Sequence, residues 1–219
     1  MARAVDYPFN KVFCIGFNKT GTSSMDRLFR GLGLRSFHGY YSHIPVSDPL
    51  YAGYQCFSDG DQHDFALLDR TFPGSRFIVT TRPLGDWLAS RIRHVELRRT
   101  LGASGPMRQE YDADPRTAVR AWIQRRLEYH RRVADYFAAR PGTLLVLDIC
   151  TRPDPAATCA AITDFLGLPR RPDLTLPHEN AQRAPREAGV RTREEVLAEA
   201  VAALEDLGLP PGQLTAVFP

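Results

Sequence analysis

Lysine is almost missing from this chain. Of 28 basic residues among 219, only Lys11 and Lys19 are lysines; the rest are arginines. That skew is the mark of a coding bias, of the kind a GC-rich bacterial genome produces, and it makes each surviving lysine worth inspecting. Long apolar runs are missing too: nothing approaches the ~18 consecutive apolar residues of a membrane-spanning helix. Met1 to Asn10 carries no apolar stretch of a secretion signal. The cysteines, Cys14, Cys56, Cys150 and Cys159, include no C-x-x-C pair, so buried free thiols in a reducing cytoplasm are expected. The histidines form no H-x-x-x-H pattern and none sits at ligand spacing from a cysteine, which leaves no metal ligands to assign. A net charge of +3 is too small to imply nucleic acid. The expectation is therefore a cytoplasmic protein with neither nucleic acid nor membrane as partner, its oligomeric state open.

What is present is ordinary globular material, 43% hydrophobic and 24% charged, enough for one domain over residues 1–219 with a real core. Lys11 to Gly16 is a short apolar run closed by glycine, a buried parallel strand. Met25, Leu28, Phe29 and Leu32 then recur at helical spacing, and Gly31 and Gly33 end that helix. Residues 35–56 are aromatic and irregular, with a short strand over Tyr54 to Ser58. Phe65 to Arg70 reads as a short helix, Arg76 to Thr81 as a second buried strand. A helix after Arg82-Pro83 turns Trp87, Leu88, Ile92 and Val95 inward. Leu101 to Pro115 shows no periodicity and several Gly and Pro, the pattern of a mobile loop. A long helix over Arg116 to Ala139, a strand over Thr143 to Ile149, a helix over Ala156 to Leu166, an Arg- and Pro-rich stretch from 169 and a final helix over Arg193 to Leu207 complete the chain. Alternating strands and helices predict an α/β fold, three layers around a central, mostly parallel sheet.

Chemistry concentrates in Gly16-Phe17-Asn18-Lys19-Thr20-Gly21-Thr22-Ser23-Ser24, between the first strand and the first helix. Backbone N–H groups and a helix N-terminus would converge there on an anion. Thr20, Thr22, Ser23 and Ser24 add hydroxyls and Lys19 a charge. The nucleotide-binding spelling G-x-x-x-x-G-K-[ST] puts lysine directly after the second glycine; here Lys19 precedes Gly21 by two positions, so the lysine-then-hydroxyl order for a triphosphate and magnesium is absent.

Lys19-Thr20-Gly21-Thr22-Ser23 resembles the 5′-phosphosulfate loop of sulfotransferases that use 3′-phosphoadenosine 5′-phosphosulfate (PAPS), whose pattern is approximately K-[ST]-G-T-[ST]. A second likeness is independent of the first. That family ends a strand in an arginine and places a serine eight residues on, both for the 3′-phosphate; Arg82 and Ser90 stand at that spacing. Phe72 to Val79, Leu144 to Asp148 and Asp164 to Gly167 extend the likeness over roughly 10–170. Two features depart from it: Pro83-Leu84 follows Arg82 where the family often has Asp or Asn then Pro, and no C-terminal Arg-Lys-Gly run is found. Arg183, Arg186, Arg191 and Arg193 are the candidates to replace that run.

The resemblance implies a P-loop-like sulfotransferase architecture and sulfuryl transfer from PAPS to a hydroxyl or amine of a small acceptor, releasing 3′-phosphoadenosine 5′-phosphate (PAP) without a metal. It assigns Lys19 to the leaving oxygen, Lys19, Thr20, Gly21, Thr22, Ser23 and Ser24 to the 5′-phosphosulfate, and Arg82 and Ser90 to the 3′-phosphate. For the general base it points to the end of the strand before Gly60, hence Asp59 first and His63 second. His38 and His43 are further pocket candidates, each with a plain structural role as the alternative. Arg91, Arg93, Arg98 and Arg99 form either a solvated face or a guide for acidic ligands, and Trp87 is a core residue or an adenine neighbour. The aromatic residues 37–54 suit an aromatic or natural-product acceptor. A small P-loop kinase and a non-catalytic nucleotide-binding relative are the competing readings.

Overall fold

The computed structural model describes residues 7–102, 105–151, 154–177 and 191–218. Among them five strands, β1 (Val12–Cys14), β2 (Ser36–His38), β3 (Cys56–Ser58), β4 (Arg76–Thr81) and β5 (Leu144–Asp148), form one sheet in the order β2-β3-β1-β4-β5. Every pairing is parallel. The connecting helices are α1 (Thr22–Gly31), α2 (Leu50–Gly53), α3 (Phe65–Thr71), α4 (Leu84–Thr100), α5 (Pro106–Ala113), α6 (Pro115–Ala138), α7 (Pro155–Leu166) and α8 (Arg193–Asp206). Parallel neighbours require crossovers, which is why strand and helix alternate. The chain leaves central β1 for the β2–β3 side and then crosses to β4 and β5. The end of β1 is thus a topological switch point, where α/β sheets bind ligands.

The core explains the local sequence. Side chains alternate across a strand, so Val12, Cys14, Cys56 and Ile78 face one way and meet Met25, Leu28 and Phe29 of α1 and Ile162 and Leu166 of α7. Phe13 is paired in register with Phe57 and Phe77 and faces the other way. Those three rings stack at 5.3 and 5.6 Å and are covered by Tyr41, Tyr51, Phe72 and Phe137.

The contacts divide the chain into two compact units, Met1–Thr81 with Val133–Ala181 and Arg82–Arg132 with Gln182–Pro219. The sheet belongs to the first. In the second, α4 packs on α5, α8 and a 3-10 turn at Pro211–Thr215. Gly85 permits the α4–α8 approach, since a Cβ there would lie 2.7 Å from Leu197. A capping box of Thr192 and Glu195 starts α8.

Several expectations are corrected here. Residues 106–113 are helical rather than loop. Pro106 suits the first turn, and Tyr111 stacks on Trp122 at 5.6 Å while Glu110 accepts from Trp122 Nε1 at 2.8 Å. Tertiary contacts, not periodicity, hold this helix. Strand β2 was hidden in the irregular stretch because three residues are too few to display an alternation. Lys11 is not simply solvated: its Nζ donates to Tyr54 O at 2.7 Å, and partial burial with Arg35 nearby lowers its pKa. Nor is Arg91 on a solvated face; it is buried between the rings of Trp87 and Trp122, at 5.0 and 4.7 Å, where a weakly hydrated planar cation fits. Arg99 does lie at the surface, in an ion pair with Asp112. Trp87 is a core residue, fully buried. All four cysteines are free, with Cys14, Cys56 and Cys159 buried and Cys150 half-buried. Among the described residues no helix is long and apolar enough to cross a membrane.

Candidate functional site

The loop after β1 is shaped by close approaches that only glycine tolerates. A Cβ on Gly16 would sit 2.2 Å from Thr80 O, against the backbone of β4. At Gly21, φ is +94° and a Cβ would lie 2.6 Å from Ile149 Cδ1. Lys19 is also left-handed, with φ 66°, one of three non-glycine residues with positive φ among those described. Left-handed residues thus stand at 19 and 21, two positions apart, directly before α1. Gly21 is the N-cap of α1 and supplies no side-chain acceptor, and no acidic residue occupies the first turn. The positive end of α1 is therefore not capped by a side chain of its own N-cap residue.

The hydroxyls of the loop play distinct parts. Thr20 Oγ1 is turned inward, donating to Phe17 O at 2.5 Å and lying 2.8 Å from Thr80 Oγ1. It braces the loop on β4 rather than facing a ligand. Thr22 Oγ1 donates to Asp59 Oδ1 at 3.3 Å. Ser23 Oγ lies 3.2 Å from His38 Nε2, whose Nδ1 lies 3.0 Å from Ser58 Oγ. Ser24 is buried in the first turn of α1.

The turn after β3 is the second wall. Register carries Ser58 beside His38 at the strand ends, and the next residue, Asp59, is left-handed with φ 84°. Two strained non-glycine positions, Lys19 and Asp59, thus lie on adjacent loops, a distribution typical of functional sites. Asp61 Oδ1 accepts from Asn18 N at 3.1 Å, and Asn18 Nδ2 donates to Tyr40 OH at 2.9 Å. Asp59 is thereby brought to the loop. His63 is not: it is 2% exposed, stacked on Tyr41 at 4.1 Å, and desolvation pulls its pKa down to about 3. His43 is exposed on the segment beside it.

Arg82 directly follows β4, and Ser90 lies in α4, 6% exposed. The carbonyl of Arg82 accepts from the buried guanidinium of Arg126, which rests on the Trp87 ring at 4.9 Å. Of the C-terminal candidates, Arg191 is bound by Glu96 and Glu199 and Arg193 by Asp86. Arg183 and Arg186 lie outside the described residues. Sequence reasoning missed Thr80, Asp61 and Arg126; long-range contacts connect the first two to the loop and the third to the Arg82 carbonyl. An open hollow of about 620 Å³ along α6, lined by Gln124, Arg125, Glu128 and Arg131 among others, includes none of the candidate residues. Among the described residues no group of His, Cys, Asp and Glu is placed to hold a metal.

No family model matches the chain, and no curated protein does. Seven solved chains match in structure. One is a sulfotransferase from Alicyclobacillus acidocaldarius, with 19% identity, a TM-score of 0.54, and 93% of this chain aligned to 96% of that one. At that identity the likeness is one of fold. The chain has an α/β architecture of the sulfotransferase, P-loop-like kind, with five parallel strands flanked by helices.

Proposed function

We propose that this protein is a sulfotransferase that moves a sulfuryl group from PAPS to a hydroxyl or amine of a small acceptor and releases PAP. The observation that carries the reading is the left-handed turn at Lys19 and Gly21, which feeds a helix N-terminus at the end of the central strand. A lysine in that turn, two positions before the glycine, suits a phosphosulfate better than a magnesium triphosphate.

When bound, PAPS would supply the activated sulfuryl group; the 19–24 backbone and the Thr22, Ser23 and Ser24 hydroxyls are the groups proposed for its phosphosulfate, and Arg82 and Ser90 those proposed for its 3′-phosphate. Lys19 neutralises charge on the oxygen that leaves sulfur, an electrostatic role. Asp59 takes the acceptor proton; its tie to Thr22 Oγ1 keeps the carboxylate at the loop. Asp59 is the better-placed base, because it reaches the loop through Thr22, whereas His63 is buried against Tyr41. The acceptor proposed is an aromatic or natural-product hydroxyl. The enzyme is proposed to work in the cytoplasm.

Thermal shift with PAP, and with ATP–Mg in parallel, tests the reading. PAP should stabilise the protein in EDTA; stabilisation by ATP–Mg alone would replace the proposal with phosphoryl transfer. Lys19→Ala should lower sulfation ~10²–10³-fold while leaving the melting temperature within a degree or two of wild type. Near-normal turnover in that variant would remove the role given to Lys19.

A further inference from the structure

At the end of β2 the imidazole of His38 stands between two hydroxyls. Its Nδ1 lies 3.0 Å from Ser58 Oγ, and its Nε2 lies 3.2 Å from Ser23 Oγ in the first turn of α1. Ser58 is wholly buried and set beside His38 by strand register, and its Oγ also lies 3.5 Å from Phe37 O. His38 itself is exposed. Its ring bonds to these two serines and, among the described residues, to no carboxylate. The charged and titratable groups on the surrounding elements are few. After β3, Asp59 accepts from Thr22 Oγ1 and Asp61 from Asn18 N. Lys19 stands in the loop, and Arg27 lies one turn along α1 from Ser23. Tyr40, on the segment of His38 itself, accepts from Asn18 Nδ2. A proton on His38 is therefore not cancelled by an ion pair on its own ring.

The two serines decide what that proton does. A neutral imidazole carries one N–H. With the hydrogen on Nε2, the ring donates to Ser23 Oγ, and Ser58 donates to Nδ1. With the hydrogen on Nδ1, the ring donates to Ser58 Oγ, Ser58 turns its own hydrogen to Phe37 O, and Nε2 accepts from Ser23. This second arrangement withdraws the Ser23 hydrogen from any anion at the loop. The imidazolium donates from both nitrogens. Ser58 then donates to Phe37 O, and Ser23, accepting from Nε2, keeps its hydrogen for an anion. Protonation thus adds a positive charge and a hydroxyl donor at one place. Histidine is the side chain that makes this change between pH 5 and 8.

We propose that His38 is a positioning residue of the 19–24 loop: its protonated ring holds Ser23 with the hydroxyl hydrogen turned to a bound sulfate or phosphate group, so the loop binds dianions more tightly as pH falls. The proposal rests on the sulfotransferase reading of that loop and leaves the role of base with Asp59.

Inorganic sulfate is the probe, because it keeps both its charges from pH 8 to pH 5.5 and any pH dependence then comes from the protein. Its affinity for the full chain is read from the amide signals of Gly21, Thr22 and Ser23 at constant ionic strength. From pH 8 to pH 5.5 it should rise about 5–10-fold. In His38→Gln, which keeps a polar side chain without titration, the rise should stay under about 2-fold. A second measurement needs no variant: by linkage, saturating sulfate at pH 6.5 should move the ¹⁵N signals of the His38 ring toward the imidazolium pattern. Equal wild-type affinity at the two pH values, a full rise in His38→Gln, or His38 signals unmoved by saturating sulfate would each overturn the role of His38 and leave the loop as an anion site. Failure of both sulfate and PAP to bind at any pH would overturn the sulfotransferase reading with it.

Discussion

The two faces of the sheet are built from different materials and do different work. One face is aliphatic and sulfur-bearing, from Val12, Cys14, Cys56 and Ile78 onto the helices α1 and α7. It backs the 16–24 loop directly, because Ile149 fills the space that a side chain on Gly21 would need. The other is a sheet of rings, Phe13, Phe57 and Phe77, capped by tyrosines. It rises through Tyr41, whose OH donates to Cys14 O at 2.7 Å, to the turn that carries Asp59. Close-packed aliphatic groups leave a helix N-terminus little freedom to shift. Large planar rings with polar tips tolerate a buried imidazole beside them. The difference teaches that a rigid aliphatic face and a ring-lined face come from opposite sides of the same three central strands.

Cys56 and Phe57 are sequence neighbours, both wholly buried and on opposite faces, so they offer the sharpest way to break this contrast. Phe57→Ala should cost ~3–5 kcal/mol, because Phe13, Tyr41 and Tyr51 all pack on that ring. Urea denaturation would show it as a lower midpoint, and a loss under ~1 kcal/mol would mean the ring layer is not a packed core. Gly21→Ala should cost ~1–2 kcal/mol for the left-handed backbone alone, with further loss from the clash at Ile149. Pairing it with Ile149→Val should recover only part of the clash, since valine lacks the Cδ1 at 2.6 Å but keeps a carbon at the Cγ1 position at 2.8 Å. Full recovery of stability in the double variant would show that φ at this position is not constrained.

Acidification should act through the aromatic side. Burial holds His63 at a pKa of about 3 against an ordinary 6.5, so below pH 6.5 the unfolded chain binds a proton that the folded chain refuses. Stability is therefore full above pH 6.5 and falls as pH drops toward 3, at up to ~1.4 kcal/mol per pH unit. His130, lowered to about 3 by burial and by Arg126, adds a parallel loss in the second unit. His63→Phe should flatten the acid limb of a stability–pH curve; an unchanged limb would show that the ring is hydrated and titrates normally. On the aliphatic side burial pushes the Cys14 and Cys56 thiols up, so no thiolate forms near neutrality. The smallest effect belongs there: Cys56→Ala should cost ~1 kcal/mol, with no change in the acid limb.

Much of this was readable in the chain. The apolar run at Val12–Cys14 could hardly be anything but a buried strand, and the strand Arg76–Thr81 falls where its β-branched residues put it. The loop could be singled out because glycine and hydroxyl residues crowd between a strand and a helix. By contrast, nothing in Ser36–His38 is long enough to display a period, and α5 depends on Trp122, eleven residues downstream of Tyr111. Asp59 and His63 looked alike as candidate bases. Their difference lies in what stands around them: Thr22 and solvent for one, Tyr41 and the Gly60 backbone for the other.

Lysine scarcity drew attention to Lys11 and Lys19, and local sequence settled what kind of loop surrounds the second. Local sequence acts over a few residues, through backbone sterics, hydroxyls and glycine, and it determined the alternation of strands and helices and the glycine- and hydroxyl-rich loop at 16–24. Strand order, the register that sets Phe13 beside Phe57 and Phe77, and the burial of His63 are long-range outcomes. They were decided only by tertiary structure, because desolvation and packing depend on partners that lie tens of residues away along the chain.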